Sequence, residues 1–143
     1  MIKIKQVTNQ KEFAEVLSLR YEVFVYEQGV PAEIEHDKAD ETAVHVQAVQ
    51  ENTTVGCGRL EINSEQAKIG RMAVKKEYRG QRIGSKICRY LIELALARGC
   101  SEIILHAQVT AKSFYEKLGF QAKGEVFQEA GIDHVKMEFD FRE

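Results

Sequence analysis

Apolar and polar positions change period several times along the chain, and each change marks an element. In Met1–Val7, Ile2, Ile4 and Val7 stand among Lys3, Lys5 and Gln6, a strand pattern closed by Thr8 and Asn9. From Lys11 to Glu27 the period lengthens. Phe13, Val16, Leu17, Tyr21, Phe24 and Val25 recur at three- and four-residue spacing behind Asn9 as a cap, which predicts a helix broken near its end. Gln28–Thr42 carries Gly29, Pro31 and the acidic Glu33, Glu35, Asp37, Asp40 and Glu41, and reads as a solvated loop.

Alternation returns in Ala43–Gln50 and Thr54–Ile62, with Glu51-Asn52-Thr53 as a hairpin turn, and a third strand, Ala67–Val74, completes a meander. Ile83, Ile87, Leu91, Leu94 and Ala95 form one stripe on a helix from Ile83 to Arg98, stopped by Gly99. Glu102–Ala107 is a short buried-strand pattern and Thr110–Leu118 a second short helix ended by Gly119. Gln121–Phe141 reads as two strands turning at Ala130-Gly131. The sum is a mixed α/β sheet with helices on both faces.

A length of 143 residues suits one domain, residues 1–143, and 44% hydrophobic with 29% charged residues is globular composition. The formal net charge of −2 gives no general attraction to nucleic acid or anionic lipid, so neither partner is expected. Apolar runs are too short for a membrane span or a signal-peptide core, and a cytoplasmic protein is expected. Cys57, Cys88 and Cys100 are odd in number and lack a CxxC pair, which fits reduced, inert, buried thiols and no metal site.

The informative stretch is Ile69–Ser85, IGRMAVKKEYRGQRIGS, where a strand enters a loop with Arg79, Gly80, Arg82 and Gly84 that opens onto the strongest helix. Unpaired amides and the helix dipole suit such a junction to a pyrophosphate, and the arginines add charge-assisted donors. A solvated basic helix cap is the equal alternative. The loop is one residue short of a Walker motif, and Gly56-Cys57-Gly58 lies in a meander, so those glycines read as structural.

Arg79-Gly80-Gln81-Arg82-Ile83-Gly84 resembles the acetyl-CoA loop of the GNAT superfamily of N-acetyltransferases, and Ala111-Lys112-Ser113-Phe114-Tyr115-Glu116-Lys117-Leu118-Gly119-Phe120 resembles its A-x-x-F-Y-E-K-x-G-F helix. The order of elements matches the same fold. Arg20, Val23, Phe24, Glu27 and Gln28, with Glu129–Met137, are similar to the ElaA/YjcF-like bacterial branch. Two positions depart from the pattern: Arg82 stands for the loop's first glycine and Gln108 for an asparagine that usually contacts cofactor.

The resemblance implies a GNAT-type, mostly antiparallel sheet with a splayed cofactor cleft between the fourth and fifth strands. It implies acetyl-CoA as co-substrate, held by Met72, Ala73 and Val74, by Arg79, Gly80, Gln81, Arg82, Ile83, Gly84 and Ser85, and by Gln108 and Ser113. The pantetheine would lie beside the fourth strand by β-augmentation. Tyr115 takes the acid position and His134 is favoured as base over Glu27 and His45. Arg20, Phe24, Glu27 and His45 are the expected acceptor contacts, and the acidic run could attract a cationic amine. The expected activity is N-acetyl transfer to a primary amine of a small molecule or protein by direct attack. A non-catalytic acyl-CoA-binding or regulatory module is the alternative, and the protein is expected to be a monomer or homodimer.

Overall fold

The computed structural model describes residues 1–142. Its elements are β1 (Lys3–Gln6), α1 (Gln10–Arg20), α2 (Ala32–Glu35), β2 (Val44–Gln50), β3 (Thr53–Asn63), β4 (Gln66–Val74), α3 (Ile83–Ala97), β5 (Glu102–Gln108), α4 (Lys112–Glu116), β6 (Phe120–Glu129) and β7 (Ile132–Phe139). Seven strands form one open sheet in the order β1-β2-β3-β4-β5-β7-β6. Every neighbouring pair is antiparallel except β4 and β5. None of the described helices is long and apolar enough to cross a membrane.

Local chemistry sets these elements. The Asn9 side chain accepts from the Glu12 N–H at 2.8 Å, capping α1. Gly99, at φ 79°, ends α3 while Cys100 N–H returns to the Ala95 carbonyl. Glu51 and Asn52, and later Ala130 and Gly131, have positive φ, as two-residue hairpin turns require.

The helix predicted over Lys11–Glu27 has the right extent but two geometries: α1 ends at Arg20 and Tyr21–Glu27 continues as wide π-helical turns. The expected solvated loop at Gln28–Thr42 is corrected more deeply. It contains α2 and a tight 3₁₀ turn over Lys38–Glu41, and two of its acids, Glu35 and Asp40, are buried.

Helices cover both faces. The α3 stripe of Ile83, Ile87, Leu91 and Ala95 is fully buried over Val46, Ala48 and Leu60, with Ile83, Ile87 and Leu91 each contributing about 2 kcal/mol on burial. On the other face Val16, Leu19 and Val23 pack on Cys57 and Ala73. Gly56 and Gly58 flank Cys57 and face α3. A Cβ on Gly58 would stand 2.8 Å from a Leu91 methyl and 2.9 Å from an Ile87 methyl, so these glycines let the helix approach the sheet. All three cysteines are free and buried, and burial pushes the Cys57 and Cys88 thiols up to about 12.

The seam between β4 and β5 is short. Parallel pairing runs only from Gln66–Ile69 to Glu102–Leu105, after which the strands part. At the closed end the Glu65 carbonyl accepts from Ser101 N–H at 2.9 Å and Glu102 N–H at 3.2 Å. At the open end Met72, Ala73 and Val74 have no partner strand on the β5 side.

Candidate active site

Beyond its pairing with β5, β4 bulges. Gly70 opposes Arg59 and Ala73 opposes Cys57, so Arg71 and Met72 together face Gly58. Arg71 has φ 50°, a conformation disfavoured for a side-chain-bearing residue. Its guanidinium holds the bend in place, donating to the Glu35 carbonyl at 3.0 Å and to the Asp37 carboxylate at 3.1 Å.

The parted strands open two cavities. The smaller, about 530 Å³, is lined by Met72, Ala73 and Val74 and by the loop at the start of α3, including Arg79, Gly80, Arg82, Ile83, Gly84 and Ser85. Gln81 and Ser113, expected to contact cofactor, line neither cavity. Gly80 has φ 84° and open space at its Cβ position. Gly84 sits under the Phe114 ring, 3.3 Å from where a Cβ would be. Strand backbone at Met72 and Ala73, a glycine-bearing helix start and Arg82 converge, which fits an extended amide-bearing arm ending in pyrophosphate, whereas the Arg79 guanidinium is taken up by the Val74 carbonyl at 2.9 Å and by Glu27.

Arg82 departs from glycine at a position that asks for one: it caps α3 with φ 66°. Arg82→Gly is expected to raise unfolding stability by about 1 kcal/mol by removing that strain. Denaturant unfolding checks it, and an unchanged or lower midpoint would mean the backbone there costs nothing.

The larger cavity, about 570 Å³, lies on the α1 side of the splay and is walled by Phe24, Gln28, Glu61, Lys68, His106, Glu129 and His134 among others. Met72, Ala111 and Tyr115 line both cavities, so the two meet there. Tyr115 is half-buried, and burial pushes its phenol above the ordinary tyrosine value, keeping it protonated at neutral pH. A proton donor thus stands at the neck.

His134 lines the larger cavity beside the neck. Its Nδ1 lies 2.7 Å from the Ile132 carbonyl, a contact that requires Nδ1–H to donate and leaves Nε2 as the proton-accepting nitrogen. The ring stacks on Phe127, with centroids 6.0 Å apart. His106, a residue whose role its strand-end position left open, bonds Glu129 through Nδ1 at 2.9 Å. Burial alone would raise the Glu129 carboxyl, but the His106 hydrogen bond and nearby charge hold it below its usual range.

The other expected acceptor contacts separate. Phe24 lines the larger cavity. Arg20 has no exposed surface: it donates to Glu35 at 2.6 Å and to Asp40 at 2.9 Å, and is a buried structural cation. His45 is also buried, its Nε2 2.9 Å from the Asp40 carbonyl and its ring against Phe13. Burial lowers its pKa, so it stays neutral within that network. Glu27 forms a two-pronged pair with Arg79, at 2.6 and 2.8 Å, bridging the π-helical turns to the loop before α3. Gln108, expected on the cofactor, lines the larger cavity and donates to Gln28 at 2.8 Å.

Lys68, Glu61 and Ala111 also line the larger cavity and are not among the expected site residues. For Lys68 a signal existed: it alternates between Ala67 and Ile69, which enter the core, and so belongs to the opposite face.

Residues 4–141 match the acetyltransferase (GNAT) domain family. The chain is 37% identical over 139 residues to YyaT of Bacillus subtilis, covering 95% of this chain and 94% of that protein. It is 35% identical over 130 residues to YjcF of the same organism, described as an uncharacterized N-acetyltransferase, covering 90% and 93%. Among solved structures, an acyl-CoA N-acyltransferase from Pseudomonas aeruginosa superposes with a TM-score of 0.86 at 28% identity, over 98% of this chain and 99% of that one. Escherichia coli ElaA superposes with a TM-score of 0.89 at 26% identity, over 98% and 100%.

Proposed function

Since this chain belongs to the GNAT acetyltransferase family, we propose that it transfers the acetyl group of acetyl-CoA directly to a primary amine of a small molecule or an exposed protein side chain. One observation carries the reading: the cavity suited to the pantetheine and pyrophosphate and the larger, polar cavity meet at Met72, Ala111 and Tyr115. A thioester in the first and an amine in the second would react at that neck.

Each proton then has a place to go. A bound alkylammonium must lose a proton before it attacks, and the Nε2 of His134 accepts it, directly or through water. Attack by the amine nitrogen on the thioester carbon places negative charge on the carbonyl oxygen, within reach of the unpaired β4 backbone donors. Collapse expels the thiolate, which takes the Tyr115 proton, and the former amine nitrogen gives up its surplus proton, directly or through water, to the phenolate, leaving amide, free thiol and a neutral Tyr115. Burial raises the phenol above its free value, and the same loss of water raises a thiolate's basicity, so the pair stays matched.

The test is release of free thiol from acetyl-CoA in the presence of a panel of primary amines, with acetyl-CoA binding followed by calorimetry. Wild type should bind and turn over. Gly84→Val, which fills the helix start beneath Phe114, should lose at least tenfold in CoA affinity. Binding with no thiol release for any amine would reject catalysis, and unaltered affinity in folded Gly84→Val would reject the site.

A further inference from the structure

The larger cavity is rich in charge, yet almost all of that charge is already spoken for. Glu35 and Asp37 pair with Arg71, Asp37 and Glu61 pair with Arg59, and Glu129 pairs with His106. Lys68 is different. It lines the same cavity, is half-buried, and among the described residues has no carboxylate within 4.0 Å of its ammonium. Its charge still reaches the cavity, being one of those that hold the Glu129 carboxyl down.

Lys68 also has a fixed place relative to the neck. It lies on β4 beside Ile104 of β5, at the closed part of the seam, whereas Met72 lies four positions further, where the strands have parted. At about 3.3 Å per residue their backbones are at most about 13 Å apart, and the lysine stem covers about 6 Å of reach. With the lysine stem extended along the strand toward Met72, a ligand spanning from Lys68 to the neck separates its two functional groups by up to about 7 Å, and by more where the stem turns away.

Resting on the acetyl-transfer reading above, we infer that the acceptor is an ω-amino carboxylate, its amine at the Tyr115 neck and its carboxylate paired with Lys68. Glu61 and Glu129 flank the lysine in the cavity wall, so a monoanionic carboxylate suits the site better than a doubly charged group. α-Amino acids do not fit through their α-amine, because one carbon separates their two groups. A side-chain amine such as that of lysine, or ε-aminocaproate, has the needed length.

The experiment compares ε-aminocaproate with hexylamine and cadaverine, molecules of similar length that end in carboxylate, methyl and ammonium. Thiol release with acetyl-CoA is measured in wild type, Lys68→Met and Lys68→Glu. Wild type should prefer ε-aminocaproate by at least tenfold in kcat/KM. Lys68→Met should erase the preference through KM with kcat nearly kept, and Lys68→Glu should invert it toward cadaverine. Equal use of the three amines by wild type, or the same ratios in all three proteins, overturns the inference while leaving acetyl transfer intact. Silence with every amine rejects the acetyl-transfer reading. In that case calorimetry of ε-aminocaproate against CoA-loaded wild type and Lys68→Glu still decides the carboxylate contact: equal or absent heats in both overturn it.

Discussion

Arg20→Met is expected to lower unfolding stability by about 3 kcal/mol at neutral pH, a large share of the roughly 5–15 kcal/mol that holds a domain of this kind together. The guanidinium has no contact with water and donates to both carboxylates, Glu35 at 2.6 Å and Asp40 at 2.9 Å, and to the Glu35 carbonyl at 2.7 Å. Methionine matches the stem but leaves two buried carboxylates short of donors. Arg59 still reaches Asp40 and Arg71 still reaches Glu35, so the loss is smaller than for an isolated pair.

The acid side of the profile gives a second reading. Burial works against the charged form of Asp40, but hydrogen bonds from Arg20 and Arg59 overcome it and hold its carboxyl well below the usual range. A carboxyl depressed on folding stabilises fully above its unfolded pKa, near 3.9, and loses that contribution as pH falls toward the folded value. The gap between wild type and Arg20→Met should therefore be widest at neutral pH and narrow below about pH 4. Denaturant midpoints across that range check it. A gap independent of pH would mean that Arg20 acts by packing alone.

Tyr115→Phe should leave acetyl-CoA affinity near wild type and reduce kcat by about a hundredfold or more, because it keeps the ring at the neck and removes its proton. The deficit should stay nearly constant from pH 6 to 9, since burial keeps the wild-type phenol protonated throughout. His134→Asn should behave differently. Its rate is expected to be lowest relative to wild type at neutral pH and to recover as pH rises and free amine becomes abundant. Equal kcat for Tyr115→Phe and wild type would reject the acid, and pH profiles for His134→Asn parallel to wild type would leave that histidine a positioning role.

The apolar periods placed every strand of the sheet and the long helix α3, because one buried face repeats at a fixed spacing. They failed where burial depends on distant partners. Glu35 and Asp40 look like solvated loop acids, and only the cations of α1, β3 and β4, far away in the chain, make their burial tolerable. Arg20 and His45, expected as acceptor contacts, lie instead in that buried network for the same reason: what surrounds them is not written next to them. The shape of the Arg79–Gly84 loop was legible because it is set locally, by a strand end, glycines and a helix start within a few residues. Lys68 shows the opposite case, since the role inferred for it comes from lacking, among the described residues, a partner that its neighbours have.

The short seam between β4 and β5 bears on how the molecule opens. With hydrogen bonds only from Gln66–Ile69 to Glu102–Leu105 and a clamp at Glu65, the sheet is two leaves sharing a hinge at one end. One leaf is β1 to β4, the other β5, β7 and β6. On the acetyl-transfer reading proposed above, a pantetheine arm laid along Met72 and Ala73 would do the work of the missing strand pairs and bridge the gap with backbone hydrogen bonds. On that reading the co-substrate is a removable part of the fold. Its concentration then sets how far breathing at the hinge is suppressed, and fold stability and saturation of the cleft rise together.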